Sequence, residues 1–167
     1  NTENSQIQFQ MNTDSEGKYQ IKIPAGKYKI TPILPEYAKV EDNENGEKTV
    51  SLIAGSCEKV YFHIENKSEI NGKLLTSDGK PIKKVDVEVI DFETKEWVSS
   101  AESDTNGLFK IESVPKGKYI LAVNKNLAPY SESPYPTTFY PNKKEISEAQ
   151  TIEIELGQSV SSIQFRL

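Results

Sequence analysis

The sequence contains few of the residue types that usually carry enzyme chemistry. Its 167 residues include one Cys, one His, one Met and one Trp. A single Cys excludes an intramolecular disulfide and a Cys-based metal centre. A hydrolase triad needs a base, usually His, beside its nucleophile, and a zinc site needs three or four Cys, His or carboxylate ligands. Cys57 and His63 cannot assemble either, so we expect a protein that is not an enzyme and has no cofactor and no metal site.

Long apolar runs and basic charge are lacking as well. Hydrophobic residues make up 35% of the chain, and no run approaches the roughly 20 apolar residues of a membrane span. The formal net charge is −5, which argues against nucleic acid as a partner because phosphate binding needs a concentrated basic surface. Residues 1–6 (NTENSQ) are polar and show no signal peptide. These observations predict a segment with a solvated surface, no membrane span and no nucleic-acid partner.

An internal repeat organises the chain. Residues 14–21 (DSEGKYQI) recur as residues 104–111 (DTNGLFKI), 90 positions later. Residues 24–30 (PAGKYKI) recur as residues 115–121 (PKGKYIL), 91 positions later. Two tandem modules are the simplest interpretation, because self-similarity at a fixed offset is typical of repeated structural units.

Each repeated block predicts a local structure. Asp-x-x-Gly predicts a turn, in which the Asp carboxylate accepts backbone N–H groups and Gly adopts a positive φ. The period-2 alternation of Tyr19, Ile21 and Ile23 predicts a half-buried strand, and Phe109 with Ile111 repeats it. The Pro-x-Gly turn that follows predicts a return strand beginning near Tyr28 or Tyr119. The pattern therefore predicts a β-hairpin in each copy.

The second copy contains further strand signals. Residues 70–75 predict a first strand, residues 77–82 a turn, and Val85, Val87 and Val89 a second strand. Trp97, Val98 and Ala101 predict a third strand, with Trp97 buried or half-buried on it. Short strands separated by turn residues at this spacing are typical of a β-sandwich. The only helical fragment expected is a turn or two within residues 144–150.

These motifs resemble a known family. The runs at 70–73 (INGK), 78–89 (DGKPIKKVDVEV), 104–109 (DTNGLF) and 114–119 (VPKGKY) look like a carboxypeptidase regulatory-like domain. Residues 135–141 (YPTTFYP) are similar to the closing part of its bacterial members. The resemblance covers about residues 67–167. It implies a transthyretin-like or CnaB-like sandwich, usually of seven strands, serving as an accessory module without chemistry of its own in secreted or surface-attached bacterial proteins.

The first copy departs from this pattern. Residues 1–66 are predicted to form an incomplete sandwich module and residues 67–167 a complete one. Residues 7–11 can supply one strand before the Asp14 turn, and residues 60–64 the closing strand, but the two opening strands have no counterpart. They are either truncated or missing from this stretch of chain, or supplied by another chain, because an uncovered sheet edge is an aggregation hazard. Few contacts are expected across the junction at residues 66–68.

The residues singled out for a site are few. Tyr130, Tyr135, Phe139 and Tyr140 lie among prolines, and such rings either contact a ligand or partner or cover the open end of the sandwich. Cys57 is expected to be a small core residue, and His63 to face solvent. An acidic stretch offers oxygen ligands without the spacing of an EF-hand loop, so we expect a solvated turn there; its carboxylates are Glu36, Glu41, Asp42, Glu44 and Glu47.

We therefore expect an all-β, extracellular or cell-envelope protein segment that serves as a stalk, spacer or adhesion scaffold. Its expected partners are other domains of a larger surface protein or neighbouring subunits. One alternative is a carbohydrate-binding accessory module that uses the aromatic residues of the 130–141 segment. Another is a filament or pilus-like subunit completed by strand donation from a neighbour.

Overall fold

The computed structural model describes residues 8–41, 46–126 and 134–167. No helix in these ranges is long and apolar enough to cross a membrane. A single short 3₁₀ turn at Ile146–Glu148 falls in the expected helical fragment, and the remaining elements of the described residues are strands, which confirms the all-β fold class. The strands are β1 (Gly26–Ile30), β2 (Ala38–Val40), β3 (Lys48–Leu52), β4 (Ile64–Asn66), β5 (Glu69–Leu75), β6 (Asp86–Asp91), β7 (Trp97–Glu102), β8 (Leu108–Glu112), β9 (Gly117–Val123), β10 (Thr138–Phe139), β11 (Thr151–Ile154) and β12 (Ser159–Arg166).

The chain divides into two compact units. The first contains residues 1–31 and 47–61, and the second contains residues 32–46 and 62–167. This division follows contacts in space, whereas the boundary after residue 66 follows the repeated sequence and stays a prediction.

The first unit is one antiparallel pair, β1 with β3, in which Tyr28 lies opposite Val50. Tyr19, Ile21 and Ile23 alternate as half-buried residues, as the period-2 pattern predicts, but they belong to no strand. The strand expected at residues 7–11 is likewise absent from residues 8–11. None of residues 8–31 and 47–61 is fully buried. The apolar side chains of this unit therefore line a face that stays partly open to solvent.

The second unit is a two-sheet sandwich. One sheet has the order β12-β5-β8, and the other has the order β10-β9-β6-β7, with β11 also pairing with β9. Side chains from the facing surfaces meet in one core whose largest fully buried members include Ile70, Leu74, Ile111 and Phe165. A separate two-stranded sheet pairs β2 with β4. The core lies between two layers, as expected for a sandwich.

The prediction that the repeated blocks of the second copy form a β-hairpin is wrong. β8 pairs with β5, whereas β9 pairs with β6 in the other sheet. The segment between β8 and β9 crosses the core instead of reversing within one sheet, with Ser113 at φ 56° and Val114 completely buried. In the first copy β1 also pairs with β3 and not with residues 19–23, so the hairpin prediction fails there too.

The other strands predicted for the second copy are confirmed, but one side chain, that of Trp97, faces the opposite side of its strand. β5, β6 and β7 coincide with the predicted segments. Trp97 was expected to be buried or half-buried, and this is wrong: it is 54% exposed. The cause is a β-bulge, because Ser99 lies opposite Val89 but Trp97 lies opposite Ile90, which leaves Val98 as an extra residue.

The closing strand of the first copy is displaced. It was predicted over residues 60–64, but β4 covers Ile64–Asn66 and pairs with β2. His63 is exposed, as predicted. Cys57 is exposed as well, and its predicted place in a core is wrong. It lies outside any strand, after the turn at Gly55, in the unit that has no fully buried described residue.

Candidate functional site

The aromatic segment lies against the sandwich. Tyr135 and Tyr140 pack on the main core, and Phe139 is 6% exposed in a second cluster on the outer face of the larger sheet. The ring of Tyr140 meets that of Phe165 edge to face at 5.9 Å between centroids. Tyr130 lies outside the described residues. The rings of Tyr135, Phe139 and Tyr140 therefore cover apolar surface, and their predicted contact with a ligand stays a prediction.

The acidic stretch gives no assembled site within the described residues. Glu47 pairs with Lys29 at 2.7 Å, within the first unit. Glu36 and Glu41 are exposed. The central part of the stretch, residues 42–45, lies outside the described residues.

Residues 66–68, which precede β5, are held in place by hydrogen bonds to the rest of the second unit. Ser68 is completely buried, and its hydroxyl donates to the carbonyl oxygen of Glu155 at 3.0 Å and accepts the N–H of Gly157 at 2.9 Å. Asn66 accepts the N–H of Ser68 at 2.9 Å, and its amide donates to the carbonyl oxygen of Ser113 at 3.2 Å. All of these bonds lie within the second unit, so the expectation that few contacts cross the junction at residues 66–68 stays a prediction.

A charged cluster joins the three strands of the smaller sheet where the chain enters β5. Lys110 of β8 contacts Glu69 at 2.9 Å and Glu112 at 2.7 Å. The other carboxylate oxygen of Glu69 accepts hydrogen bonds from Asn71 at 2.8 Å and from the Ser159 hydroxyl of β12 at 2.9 Å. The hydrogen bond from Lys110, followed by those from Asn71 and Ser159, lowers the pKa of Glu69 from 4.5 to about 2. Glu69 is therefore negatively charged at neutral pH, and its carboxylate links β5 to β8 and β12.

The partners of this cluster also shift in pKa. Hydrogen bonds to Glu112 and Glu69 raise the pKa of Lys110, and the hydrogen bond from Lys110 lowers the pKa of Glu112. All three groups therefore favour the charged form. None of them has the pKa near neutrality that a general acid or base requires.

The first and last strands of the sandwich run side by side in the same direction. β12 pairs in parallel with β5, from Ser159 opposite Glu69 to Arg166 opposite Leu75. The Leu167 N–H continues the ladder by donating to the carbonyl oxygen of Leu75 at 2.9 Å. Because parallel neighbours begin at the same end, the chain enters the module at one end of this strand pair and β12 leaves it at the other. β5 has 7 residues, so the two ends are about 23 Å apart.

Sequence patterns did not reveal this arrangement. Ser68 and Glu69 were not singled out, because their partners Glu155, Gly157 and Ser159 lie almost ninety positions further along the chain. Alternation predicts which face a residue occupies but not which strand lies beside it.

Fold and geometry define the second unit as an all-β sandwich module. No protein-family model matches the chain, and no curated protein gives a significant match. Among solved structures, the Bacillus anthracis TIE protein is 18% identical over 92% of this chain and 27% of that chain, with a TM-score of 0.41. The major pilin subunit BcpA of Bacillus cereus (D312A variant) is 20% identical over 87% of this chain and 39% of that one, with a TM-score of 0.39.

A cohesin–X-dockerin complex from Acetivibrio cellulolyticus is 20% identical over 59% of this chain and 56% of that chain, with a TM-score of 0.37. The chain thus spans about a quarter to somewhat over half of the length of these proteins. Identities and TM-scores this low provide no basis for transferring a function to this chain.

Proposed function

We propose that this chain is a non-catalytic structural segment of a secreted or surface-attached bacterial protein, in which the sandwich acts as a load-bearing spacer or adhesion scaffold. Membership of the carboxypeptidase regulatory-like family is part of this proposal. The observation that carries the proposed load-bearing role is the parallel pairing of β5 with β12. A module entered at one end and left at the other adds length when modules are joined in series.

The same pairing resists force. Tension between the start of β5 and the end of β12 pulls the two strands past each other, so their ladder hydrogen bonds are loaded together. Tension applied to both strands at the same end would instead open the bonds one after another. Forced unfolding is governed by the unfolding barrier, and simultaneous loading raises the force needed to cross it. The Glu69 cluster adds side-chain links where the load arrives.

Single-molecule force spectroscopy on the full chain tests this proposal. In a Cys57→Ser background, a Lys67→Cys attachment paired with a cysteine added after Leu167 loads β5 against β12 in shear. A Ser77→Cys attachment paired with the same added cysteine places both handles at one end of the strand pair. Lys67 and Ser77 are both exposed. We expect a severalfold higher rupture force in the first geometry, and equal forces in the two geometries would remove the basis of the proposal.

A second candidate function rests on the open face of the first unit. Phe109 and Ile111 in the second copy are 3% and 0% exposed, whereas the matching Tyr19 and Ile21 in the first copy are only half-buried. Strands donated by a neighbouring subunit would cover this face. Light scattering across a concentration series tests this candidate, with Ile21→Lys on the face and the exposed Gln20→Lys as its matched control. Self-association that only Ile21→Lys abolishes supports strand donation, and a stable monomer at every concentration would rule it out.

A further inference from the structure

The bulge in β7 presents the only Trp of the chain to solvent. Regular alternation would place Trp97 on the same side as Ser99 and Ala101, and Ala101 packs on the core. The extra residue, Val98, turns Trp97 to the opposite side, where the exposed Ser100 also lies. A large indole held 54% exposed has a cost in apolar hydration, and bulges that redirect a side chain are over-represented beside functional sites.

Trp97 borders an open concavity of about 530 Å³ on the outer face of the larger sheet. This volume is within the range of small-molecule sites. Glu88 lines the concavity and is held in place: the residue is 2% exposed, and its carboxylate accepts hydrogen bonds from the N–H of Lys125 at 2.9 Å and from the side-chain amide of Asn126 at 3.0 Å. The Lys125 ammonium group then crosses to the carbonyl oxygen of Lys95 at 2.8 Å.

The loop that leads into Trp97 is also fixed. Asp91 accepts the N–H groups of Glu93 and Thr94, each at 2.8 Å. These bonds lower the pKa of Asp91, and the bond from Thr94 contributes more than that from Glu93. The Lys95 ammonium lies 4.0 Å from the centroid of the Phe92 ring, so this cation has its own partner. The site is thus held in shape before any ligand arrives, which lowers the entropy cost of binding.

The groups left available define the ligand by their chemistry. The carboxylates of Asp86 and Glu96, the Ser100 hydroxyl and the Trp97 indole N–H line the concavity and have no hydrogen-bond partner among the described residues. Carboxylates accept hydrogen bonds from hydroxyl groups, and an exposed indole packs on flat apolar surface. An anionic ligand would meet three carboxylates, so the charge of this site disfavours it. A cationic peptide could pair with Asp86 and Glu96 but would make no use of the exposed indole face, so it is the competing ligand that the experiment has to distinguish.

We propose that this concavity binds a neutral oligosaccharide, with the apolar face of one pyranose ring on the Trp97 indole and its hydroxyl groups donating to Asp86 and Glu96. This site differs from the aromatic 130–141 segment. It is also on the sheet opposite the β5–β12 pair, so the outcome of a binding experiment does not depend on that of the force experiment.

Intrinsic fluorescence tests the proposal directly, because Trp97 is the only Trp and reports on its own surroundings. The full chain is titrated with cellohexaose, xylohexaose, chitohexaose and mannohexaose up to millimolar concentration. We expect at least one of them to shift or quench the emission with a saturable curve. Failure of all four to change the emission would overturn the proposal, as would binding of an oligolysine peptide in their place.

Calorimetry on variants then locates the binding site. Trp97→Ala should weaken binding about tenfold or more, and Glu96→Gln should weaken it by a smaller factor. Ser100→Arg should block binding by filling the concavity while leaving the indole in place. Leu108→Ala is the matched control, because Leu108 is similarly exposed, at 50%, on the other sheet. Thermal unfolding verifies that each variant is folded, and unchanged affinity in folded Trp97→Ala would also overturn the proposal.

Discussion

The hydroxyl of Tyr119 donates a hydrogen bond of 2.9 Å to the carbonyl oxygen of Pro115, four residues earlier in the chain. Tyr28 and Pro24 make the same bond in the first unit, at 2.8 Å. The Pro-x-Gly-x-Tyr segments are therefore repeated in geometry as well as in sequence. The glycine is part of the arrangement, since a Cβ on Gly117 would lie 2.7 Å from the Tyr119 hydroxyl oxygen.

Removing the Tyr119 hydroxyl should destabilise the sandwich. Tyr119 is 3% exposed, and Tyr119→Phe leaves the Pro115 carbonyl oxygen without this donor. We expect the free energy of unfolding to fall by about 1 kcal/mol, the usual net value of such a bond. Urea denaturation of the full chain measures it, with Tyr61→Phe as control because Tyr61 is 65% exposed. Equal stability of the two variants would contradict a structural role for the bond.

A methyl group on Gly72 should be costly because β5 approaches its neighbours closely there. A Cβ at this position would overlap the Phe109 ring and would lie 2.8 Å from the Ile163 backbone oxygen. We expect Gly72→Ala to lower the free energy of unfolding by about 2 kcal/mol through overpacking. Gly26→Ala is the matched control, since its Cβ would meet only the Tyr28 side chain, at 3.3 Å. A midpoint in urea that shifts equally for the two variants would show that β5 can move away at little cost.

Local features of the fold were predictable from sequence because their causes are local. The Asp104 carboxylate accepts the N–H groups of Asn106 and Leu108, both at 2.8 Å, and Asp14 accepts those of Glu16 and Lys18, both at 2.9 Å. The Asp-x-x-Gly motif and the residue that follows it contain every group in these hydrogen bonds. Strands with clean alternation, such as β6, were located for the same reason.

Partners in space were not predictable in the same way. Phe109 and Tyr119 both point into the core, and alternation fits them equally well as hairpin neighbours or as members of opposite sheets. Trp97 was misplaced because one additional residue, Val98, reverses the side to which the strand presents it. The concavity at Trp97 depends on that reversal and on contacts from residues 125–126. Neither feature can be recognised from the alternation of apolar and polar residues in the sequence.

The charge on Glu69 should make stability depend on pH. Its pKa is 4.5 in its ordinary state and about 2 in the folded protein. A carboxyl whose pKa is lowered by folding stabilises the folded state above pH 4.5, and this contribution is lost as pH falls toward about 2. We expect Glu69→Gln to be less stable than the parent chain at neutral pH and the difference to shrink over this window.

Urea denaturation at a series of pH values measures this difference. Glu153→Gln is the control, because the Glu153 side chain is 80% exposed and lies 4.0 Å from Lys118. A gap between the parent chain and Glu69→Gln that stays constant as the solution is acidified would contradict the role given to the charge.

The buried hydroxyl of Ser68 should be among the most sensitive single groups in the second unit. Ser68→Ala removes the donor to the Glu155 carbonyl and the acceptor of the Gly157 N–H at once. Ser68 is completely buried, so water does not replace either bond without a rearrangement, and we expect a loss of about 2 kcal/mol in the free energy of unfolding. The exposed Ser161→Ala should change stability by much less. Hydrogen exchange of the Gly157 amide reports on the bond to Ser68, and it should accelerate in Ser68→Ala. Unchanged exchange together with unchanged stability would show that residues 155–158, which connect β11 to β12, keep their conformation without this hydroxyl.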